Sequence, residues 1–437
     1  MDRLCMKQLA EWKNAPHRKP LLLQGARQVG KTWIMKEFGK KYFSKVAYVN
    51  FDNNSRMKSL FSQDFDIKRI IMAINAETKI AVTPQDTLII FDEVQEAPQA
   101  IASLKYFCEN AAEYPIIAAG SLLGVALHKG VSFPVGKVRF LRMYPLSFYE
   151  FLLAMGETGL ADILSSNAYD LLPTFHERLI FWLKNYYYVG GMPEAVAAFA
   201  ENNDYSLVRS IQRDLLTFYE LDFSKHIESR ELPQVRMVWN AIPIQLAKEN
   251  KKFFFGRVKK GARSKDFATA ISWLADCGLI TKVHRVTKPA MPLKAYREEN
   301  AFKLFFLDVG LLGALSGLDA GSLLEGNKTF VEFKGALTEQ YVCQQLCADT
   351  SYTPYYFSSD SNKYEIDFLI QKAEYAVPLE VKAETNVHSK SLKAFREKYQ
   401  PHISVRLSLN EFREQEQLLN LPLYAMHMLQ LFPRKNN

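Results

Sequence analysis

The chain contains 437 residues, 48% of them hydrophobic and 23% charged, and its formal net charge is +8. This length exceeds what one hydrophobic core usually serves, so we expect about two to four domains of ordinary globular composition. The positive charge permits binding to nucleic acid but does not by itself indicate it, because the distribution of the basic residues decides.

Two classes of protein are excluded at this stage. No apolar run reaches the roughly 18 residues that a membrane-spanning helix needs, and the first residues contain no apolar signal core, so we expect neither a membrane partner nor secretion. The five cysteines are too few and too scattered for a disulfide framework. These features predict a protein of the reducing cytoplasm.

Short apolar runs alternate with helical patterns between Pro20 and Tyr144. This alternation indicates a parallel sheet that helices cover on both faces. We therefore predict an α/β domain over residues 1–146. The runs that would form its strands are Leu21–Leu23, Val46–Phe51, Leu88–Phe91, Ile116–Ala119 and Val138–Met143.

The segment after the first run matches the phosphate-binding pattern G-x-x-x-x-G-K-[ST], between a predicted strand and a predicted helix. Glycines let the backbone approach phosphate oxygens, and the start of a helix favours anions. Lys31 would reach the β- and γ-phosphates, and the Thr32 hydroxyl would ligate Mg²⁺. The residues predicted to bind ATP are Gly25, Ala26, Arg27, Gln28, Val29, Gly30, Lys31 and Thr32.

A second motif, Thr87–Glu93, is an apolar run that ends in two acids. A strand buried on both faces carries carboxylates only at its end, beside the ligand edge of a parallel sheet. Asp92 would hold Mg²⁺ through its water shell, and Glu93 would act as general base toward the attacking water. Two acids that only cap the next helix are the alternative, which the neighbouring glycine loop disfavours.

Three polar residues extend this site. Ser121 ends the next predicted strand, where it would lie between the γ-phosphate and the attacking water. It would then be a catalytic residue together with Lys31 and Glu93. The alternative is that Ser121 is an ordinary turn residue. Arg139 and Arg142 follow along the chain. Either would serve as a charge-stabilising finger offered to a neighbouring subunit of a homo-oligomer, or would be a solvated or ion-paired arginine.

Further segments complete a recognisable pattern, which resembles a family of bacterial and archaeal AAA-type ATPases that carry a C-terminal nuclease-like domain of unknown role. The segments are KPLLLQGARQVGKT, LIIFDEVQ, Gly120–Ser121, MYPLSFYEF, GGMPEAV, RDLLTFYELDFSKH, WNAIPIQLAKENKKF, WLADCGLI and FKLFFLDVGLL. The resemblance covers nearly the whole chain. It implies a sheet with an extra strand, Glu93 as the base and a helical lid, here at residues 147–230, but no physiological substrate.

The stretch Leu232–Val286 is predicted to form helix, turn, helix and β-wing, a winged helix assigned to residues 231–290. Basic residues concentrate there, and such modules commonly bind the phosphate backbone. If the region binds nucleic acid, DNA is favoured over RNA. An equally supported alternative is that the winged helix packs against another subunit and its lysines are solvated. The lysines predicted to contact nucleic acid are Lys251, Lys252, Lys259 and Lys260.

Residues 291–437 carry a pattern that looks like the PD-(D/E)XK nuclease motif and predicts an α/β restriction-endonuclease-like domain. Asp367 lies on one strand, and Glu380 and Lys382 share a face of the next. Because hard cations favour clustered oxygens, Asp367 and Glu380 would bind Mg²⁺, with Glu339 as a third ligand. Lys382 would orient or deprotonate a water molecule.

The same charges allow a second interpretation. The proline expected before the motif acid is absent, since Ile366 precedes Asp367. Alternating charges on an exposed strand face would produce the same pattern. A direct salt bridge of Lys382 in the metal position would indicate a docking domain.

Two hypotheses follow for the whole chain. In the first, it is an AAA-type ATPase that binds and hydrolyses ATP with Mg²⁺ and thereby controls a nuclease-like, nucleic-acid-binding C-terminal region. In the second, it is a nucleotide-gated interaction module whose inactive nuclease-like domain docks a partner protein. Magnesium-dependent DNA cleavage would separate the two.

Overall fold

The computed structural model describes residues 1–121, 133–248, 252–321, 331–359, 364–383 and 389–431. They divide into two compact units. The N-terminal unit comprises Asp2–Tyr144 with Asp276–Gly278, and the C-terminal unit comprises Pro145–Ala275 and the described residues from Leu279 onward. The division lies close to the predicted boundary between residues 146 and 147.

The N-terminal unit is built on a five-stranded sheet. Its strands are β1 Leu21–Gln24, β2 Lys45–Asn50, β3 Thr87–Asp92, β4 Ile116–Gly120 and β5 Arg139–Arg142. They lie in the order β2-β3-β4-β1-β5, and every neighbouring pair is parallel. β3 and β4 are buried at every position, which explains their uninterrupted apolar sequences. The predicted parallel sheet is confirmed, with β4 inserted between β1 and β3.

Helices connect these strands and pack on the sheet. They are α1 Cys5–Lys13, α2 Lys31–Tyr42, α3 Ser55–Gln63, α4 Ile67–Thr78 and α5 Pro98–Asn110. Three aromatic rings, Phe51, Phe61 and Phe91, pack edge to face with centroids 5.5–5.6 Å apart and attach α3 to the sheet. Because all the strands are parallel, the segments that follow β1, β3 and β4 meet at one edge.

The C-terminal unit begins with helices, as the sequence pattern indicated for residues 147–230. They are α6 Phe148–Ala154, α7 Thr158–Ser165, α8 Leu172–Val189, α9 Pro193–Asn202 and α10 Tyr205–His226. The first of them starts with a capping box, in which Ser147 and Glu150 each accept the backbone N–H of the other. The role of these helices as a lid stays a prediction.

The predicted winged-helix region, residues 231–290, contains three α-helices and one β-strand, and further strands and helices follow it. The helices are α11 Leu232–Leu246, α12 Phe255–Val258, α13 Ala268–Asp276, α14 Val309–Leu315, α15 Val331–Asp349 and α16 Lys390–Tyr399. The strands are β6 Ile280–Val286, β7 Arg297–Phe306, β8 Tyr355–Ser358, β9 Glu365–Lys372, β10 Tyr375–Val381, β11 Ser404–Ser408, β12 Arg413–Gln415 and β13 Leu418–Pro422.

All these strands form one mixed sheet in the order β12-β13-β11-β10-β9-β8-β6-β7. β6, the predicted wing, pairs antiparallel with β7 and also pairs parallel with β8 from His284 to Val286. The predicted boundary at residue 290 therefore falls inside a continuous sheet and does not separate two sheets. Strand pairing between segments far apart in sequence is invisible to local patterns, which explains the difference.

A buried polar network connects the helices of this unit to its sheet. The Asp308 carboxylate accepts hydrogen bonds from the backbone N–H of Gly191 (2.6 Å) and of Leu311 (3.0 Å). The Gln344 side chain donates to the same carboxylate at 2.9 Å. Gly191 also contacts the Leu146 backbone so closely that an added Cβ would lie 2.1 Å from its carbonyl oxygen. Segments distant in sequence thus converge where only glycine fits.

Gly191→Ala is expected to destabilise the C-terminal unit by about 3 kcal/mol, because the backbone must move away from Leu146 and weaken the hydrogen bond to Asp308. The urea midpoint of unfolding, followed by tryptophan fluorescence, measures the effect. Gly159→Ala is the matched control, since a Cβ there meets nothing within 4 Å and the residue lies in α7. The control should keep or raise the midpoint. Equal midpoints for the two variants would contradict this packing.

Candidate nucleotide-binding site

The loop between β1 and α2 has a backbone that its glycines make possible. Gly25 has φ +153°, and a Cβ there would lie 2.3 Å from the Met143 carbonyl oxygen, so a larger residue does not fit. Gly30 has φ 93° and leads directly into α2. Arg3 stabilises the loop, because its guanidinium donates a hydrogen bond to the Val29 carbonyl at 3.0 Å. The loop therefore presents the start of a helix, a site that favours anions.

Lys31 is the first residue of α2 and is 7% exposed. Its ammonium group donates to the carbonyls of Gly25 at 2.9 Å and Ala26 at 2.7 Å. Burial lowers the pKa of Lys31 to about 8, although the Glu93 and Asp92 carboxylates oppose this shift. The loop thus holds a buried cation, and phosphate oxygens can replace the carbonyls as its partners.

Asp92 joins the two predicted motifs at the end of β3. One carboxylate oxygen, Oδ2, accepts from the Thr32 hydroxyl at 2.7 Å and from the Tyr48 hydroxyl at 2.9 Å, and the residue is 2% exposed. Burial, and next the Asp92 charge, raise the pKa of Tyr48 above its usual value, so the phenol remains a donor. Sequence analysis missed Tyr48, because an aromatic residue on a strand is indistinguishable from a core residue.

Glu93 follows directly in a left-handed conformation, with φ 53° and ψ 43°. A non-glycine residue in this region is strained, and such strain concentrates at functional sites. The Gln95 side chain donates to the Glu93 carboxylate and holds its orientation. Glu93 is therefore directed by its backbone and by a neighbour, as a general base needs to be.

The remaining predicted residues lie nearby on the sheet. Ser121 follows β4, is 4% exposed and accepts a hydrogen bond at 3.2 Å from Nε of Arg27 in the loop. Its predicted position beside the γ-phosphate stays a prediction. Arg139 and Arg142 are exposed on β5, and the Arg142 guanidinium lies 5.4 Å from the Tyr144 ring centroid.

The residues at this edge fit ATP with Mg²⁺. A buried lysine stands in a loop that favours anions, and a hydroxyl and a buried carboxylate lie 2.7 Å apart, as expected of a pair that shares a hard cation and its water shell. Thr32 and Asp92 would hold the metal, and Lys31 with the loop backbone would hold the phosphates.

The structure also brings the four predicted nuclease residues together. Glu380 on β10 is 3% exposed, and Asp367 on β9 accepts the backbone N–H of Val381 at 2.8 Å. Burial by itself would lower the pKa of Lys382, but Glu380 and, less strongly, Asp367 and Glu339 raise it above the usual value. All three carboxylates therefore act on this one ammonium group.

Lysines, however, compensate these carboxylates. Lys382 forms a direct salt bridge to Glu380 at 2.8 Å. Lys303, fully buried on β7, lies 2.6 Å from Glu365 and 3.6 Å from Glu339. In the described part of the chain, no group of three or more His, Cys, Asp or Glu residues is arranged to hold a metal ion. Ammonium groups thus neutralise acids at this place, and the expected Mg²⁺ site stays a prediction.

Lys303 was missed by sequence analysis, although a signal was present. It is the one charged residue in the apolar run Phe302–Leu307. A charge inside a buried strand requires a partner, so a buried ion pair could have been predicted there.

The predicted nucleic-acid lysines are placed only in part. Lys251 lies outside the described residues, Lys252 is half-buried, and Lys259 and Lys260 are exposed. The last two line a surface concavity together with Pro233 and Met237.

An aromatic residue next to these lysines, Phe253, is part of the core. Phe253 is 4% exposed and stacks on Phe302 with centroids 5.8 Å apart, so it belongs to the core.

No helix in the described ranges is long and apolar enough to cross a membrane.

Three family models match parts of the chain. Residues 17–152 match the AAA domain. Residues 180–322 and 334–425 match two domains of unknown function, DUF8612 and DUF4143. The N-terminal unit is therefore an AAA-type domain with a P-loop, while the other two descriptions assign no activity to the rest of the chain.

Comparison with solved structures gives distant likenesses. The Walker-type ATPase PABY2304 of Pyrococcus abyssi is 14% identical, with 71% of this chain and 94% of that chain covered and a TM-score of 0.44. The Aeropyrum pernix Orc1 protein in complex with DNA is 14% identical, with coverages of 72% and 93% and a TM-score of 0.31. The Thermotoga maritima RuvB Holliday junction branch migration motor is 12% identical, with coverages of 68% and 94% and a TM-score of 0.29. These scores are too low to support a function, and no curated protein matches the sequence.

Lys303→Met is expected to destabilise the C-terminal unit by about 3–5 kcal/mol, because it leaves the buried Glu339 and the partly buried Glu365 without their counter-ion. Urea unfolding measures this loss. Lys393→Met is the matched control: its ion pair to Glu397 is 3.9 Å long and the Lys393 side chain is 80% exposed, so no resolvable change is expected.

Mn²⁺ provides the second part of this test. It should leave the melting temperature of the wild type unchanged and raise that of Lys303→Met, in which the carboxylates lack their cation. A rise in the wild type that Asp367→Ala abolishes would contradict the lysine-compensated cluster and support a nuclease-type metal site.

Proposed function

We propose that this chain is an ATPase that binds ATP with Mg²⁺ at the P-loop and hydrolyses it with Glu93 as general base. The observation that carries the proposal is the hydrogen bond from Thr32 to Asp92, because it joins the phosphate loop to the buried acid that follows it in the sheet. The match of residues 17–152 to the AAA domain supports it independently.

Each residue has a physical role in this mechanism. The loop backbone and Lys31 bind the β- and γ-phosphates and offset their charge. Thr32 and Asp92 would hold Mg²⁺, which would neutralise phosphate charge, and Tyr48 keeps the Asp92 carboxylate in place through its 2.9 Å hydrogen bond. Glu93, directed by Gln95, accepts a proton from the attacking water. Ser121 contacts that water or the γ-phosphate.

For the C-terminal unit, the second hypothesis is favoured over nuclease activity. The direct salt bridge from Lys382 to Glu380 and the burial of Lys303 beside Glu365 are the specific observations behind this choice. The nuclease-like region then acts as a docking domain for a partner, and the nucleotide state of the P-loop controls that docking.

The exposed lysines of the α12 region provide a second binding surface. Lys259 and Lys260 line a surface concavity beside the start of α11, where they would bind the phosphate backbone of nucleic acid. DNA is the proposed ligand, bound without base readout, because ammonium groups bind phosphates as point charges.

Lys31→Ala should abolish nucleotide binding and turnover together, since it removes the buried charge on the phosphates. Glu93→Gln should preserve binding and lower the hydrolysis rate by about 100-fold or more, because only the base is lost. Equilibrium binding of a fluorescent ATP analogue and single-turnover hydrolysis measure the two effects.

Lys40→Ala on the exposed end of α2 and Glu96→Gln, which pairs with Lys58, are the matched controls and should behave as wild type. Wild-type hydrolysis by Glu93→Gln would overturn the assignment of the base. Tight ATP binding by Lys31→Ala would overturn the phosphate site.

Changing Lys252, Lys259 and Lys260 to Gln should weaken binding to DNA of any sequence. The slope of log affinity against log salt should become shallower by about one unit for each DNA phosphate that the variant no longer neutralises. The control removes the same number of charges at the exposed residues Lys7, Lys40 and Lys68 of the N-terminal unit. Equal affinities and slopes for both triple variants and the wild type would favour the packing interpretation of the winged helix.

A further inference from the structure

The side chain of Arg27 has an unusual position for a loop residue. It is the third residue of the phosphate loop, and its Nε donates to the Ser121 hydroxyl at 3.2 Å. Ser121 stands just after β4, the strand inserted between β1 and β3. The guanidinium is therefore held at the strand edge where the attacking water and the terminal phosphate of ATP would meet.

Arg27 also lies within electrostatic reach of the buried Lys31. The Arg27 and Lys31 charges interact across the loop, and Lys31 is only 7% exposed. Two cations that repel each other beside one loop are costly unless an anion comes between them. The γ-phosphate is the anion that this loop is built to receive.

A guanidinium suits this task for a geometric reason. It presents several N–H donors in one plane, so Nε can keep its hydrogen bond to the Ser121 hydroxyl while the terminal nitrogens reach phosphate oxygens. Arg139 and Arg142, by contrast, are exposed on β5, the last strand of the sheet, as expected of residues offered to another subunit.

We propose that Arg27 is a catalytic residue supplied by the same chain, which stabilises the charge that develops on the γ-phosphoryl oxygens during hydrolysis. This inference depends on the ATPase function proposed above. In the reaction, the oxygen of the attacking water bonds to the γ-phosphorus while the bond to the β–γ bridging oxygen breaks. The water proton passes to Glu93, and ADP and phosphate are formed. Arg27 contacts the equatorial oxygens throughout and accepts no proton.

Two consequences follow. Transition-state charge is stabilised without a second subunit, so the hydrolysis rate per chain is independent of chain concentration. Ser121 becomes a positioning residue as well, because its hydroxyl holds the guanidinium.

The test compares binding of ADP with binding of ADP and aluminium fluoride, which mimics the transferring phosphoryl group. Arg27→Ala should bind ADP within about 3-fold of wild type, which also shows that the loop is folded. Its affinity for the aluminium fluoride complex should fall by about 100-fold or more, and its hydrolysis rate by about 1000-fold, as for other charge-stabilising arginines. Arg27→Lys should recover only part of both losses, since lysine keeps the charge without the planar fork. Arg56→Ala, an exposed residue of α3, is the control and should match wild type.

The outcomes separate this inference from the proposed function. A wild type that neither binds nor hydrolyses ATP would remove both. If the wild type hydrolyses ATP and Arg27→Ala binds the aluminium fluoride complex equally well, the ATPase stands and the inference is wrong. A rate per chain that rises with concentration, together with loss of analogue binding in Arg139→Ala or Arg142→Ala alone, would place the arginine on a neighbouring subunit.

Discussion

The buried carboxylate of Asp92 is the constraint on which the N-terminal unit depends. A carboxylate with 2% exposure is tolerated only when donors surround it, and Thr32, Tyr48 and the backbone N–H of Glu93 donate to it. Thr32 belongs to the phosphate loop and Tyr48 to a neighbouring strand. The hydrogen bonds to this one carboxylate therefore fix the start of α2 against two strands of the sheet. The same oxygen atoms are available to a metal ion and its water molecules.

The C-terminal unit solves a comparable problem in another way. Its acidic residues lie on two strands and a helix, Glu380 and Glu339 being buried, and lysines of the same sheet neutralise them. Lys303 is fully buried and Lys382 is partly exposed, so the first is a permanent counter-ion while the second remains accessible. This mixed sheet thus has internal counter-ions for its acidic residues.

The network around Asp308 connects segments of the C-terminal unit that are far apart in sequence. The pair Gly190–Gly191 and the segment around Asp308 are brought together by hydrogen bonds and by the absence of side chains at the glycines. Gln344 on α15 completes the network at 2.9 Å. These residues join helices to the sheet within the C-terminal unit, so their observed role is in packing.

The sequence by itself determined the local features: the parallel sheet, the glycine loop from Gly25 to Thr32, and the acids at the end of β3. Each of these features depends on residues that are adjacent in the chain, such as a strand followed by a turn or a charged residue at the end of an apolar run. Only the tertiary structure decided which distant groups compensate one another. Tyr48 on Asp92, Lys303 between Glu339 and Glu365, and the pairing of β6 with β8 all join segments remote in sequence. Contacts of this kind arise from folding geometry, and no local pattern of residues encodes them.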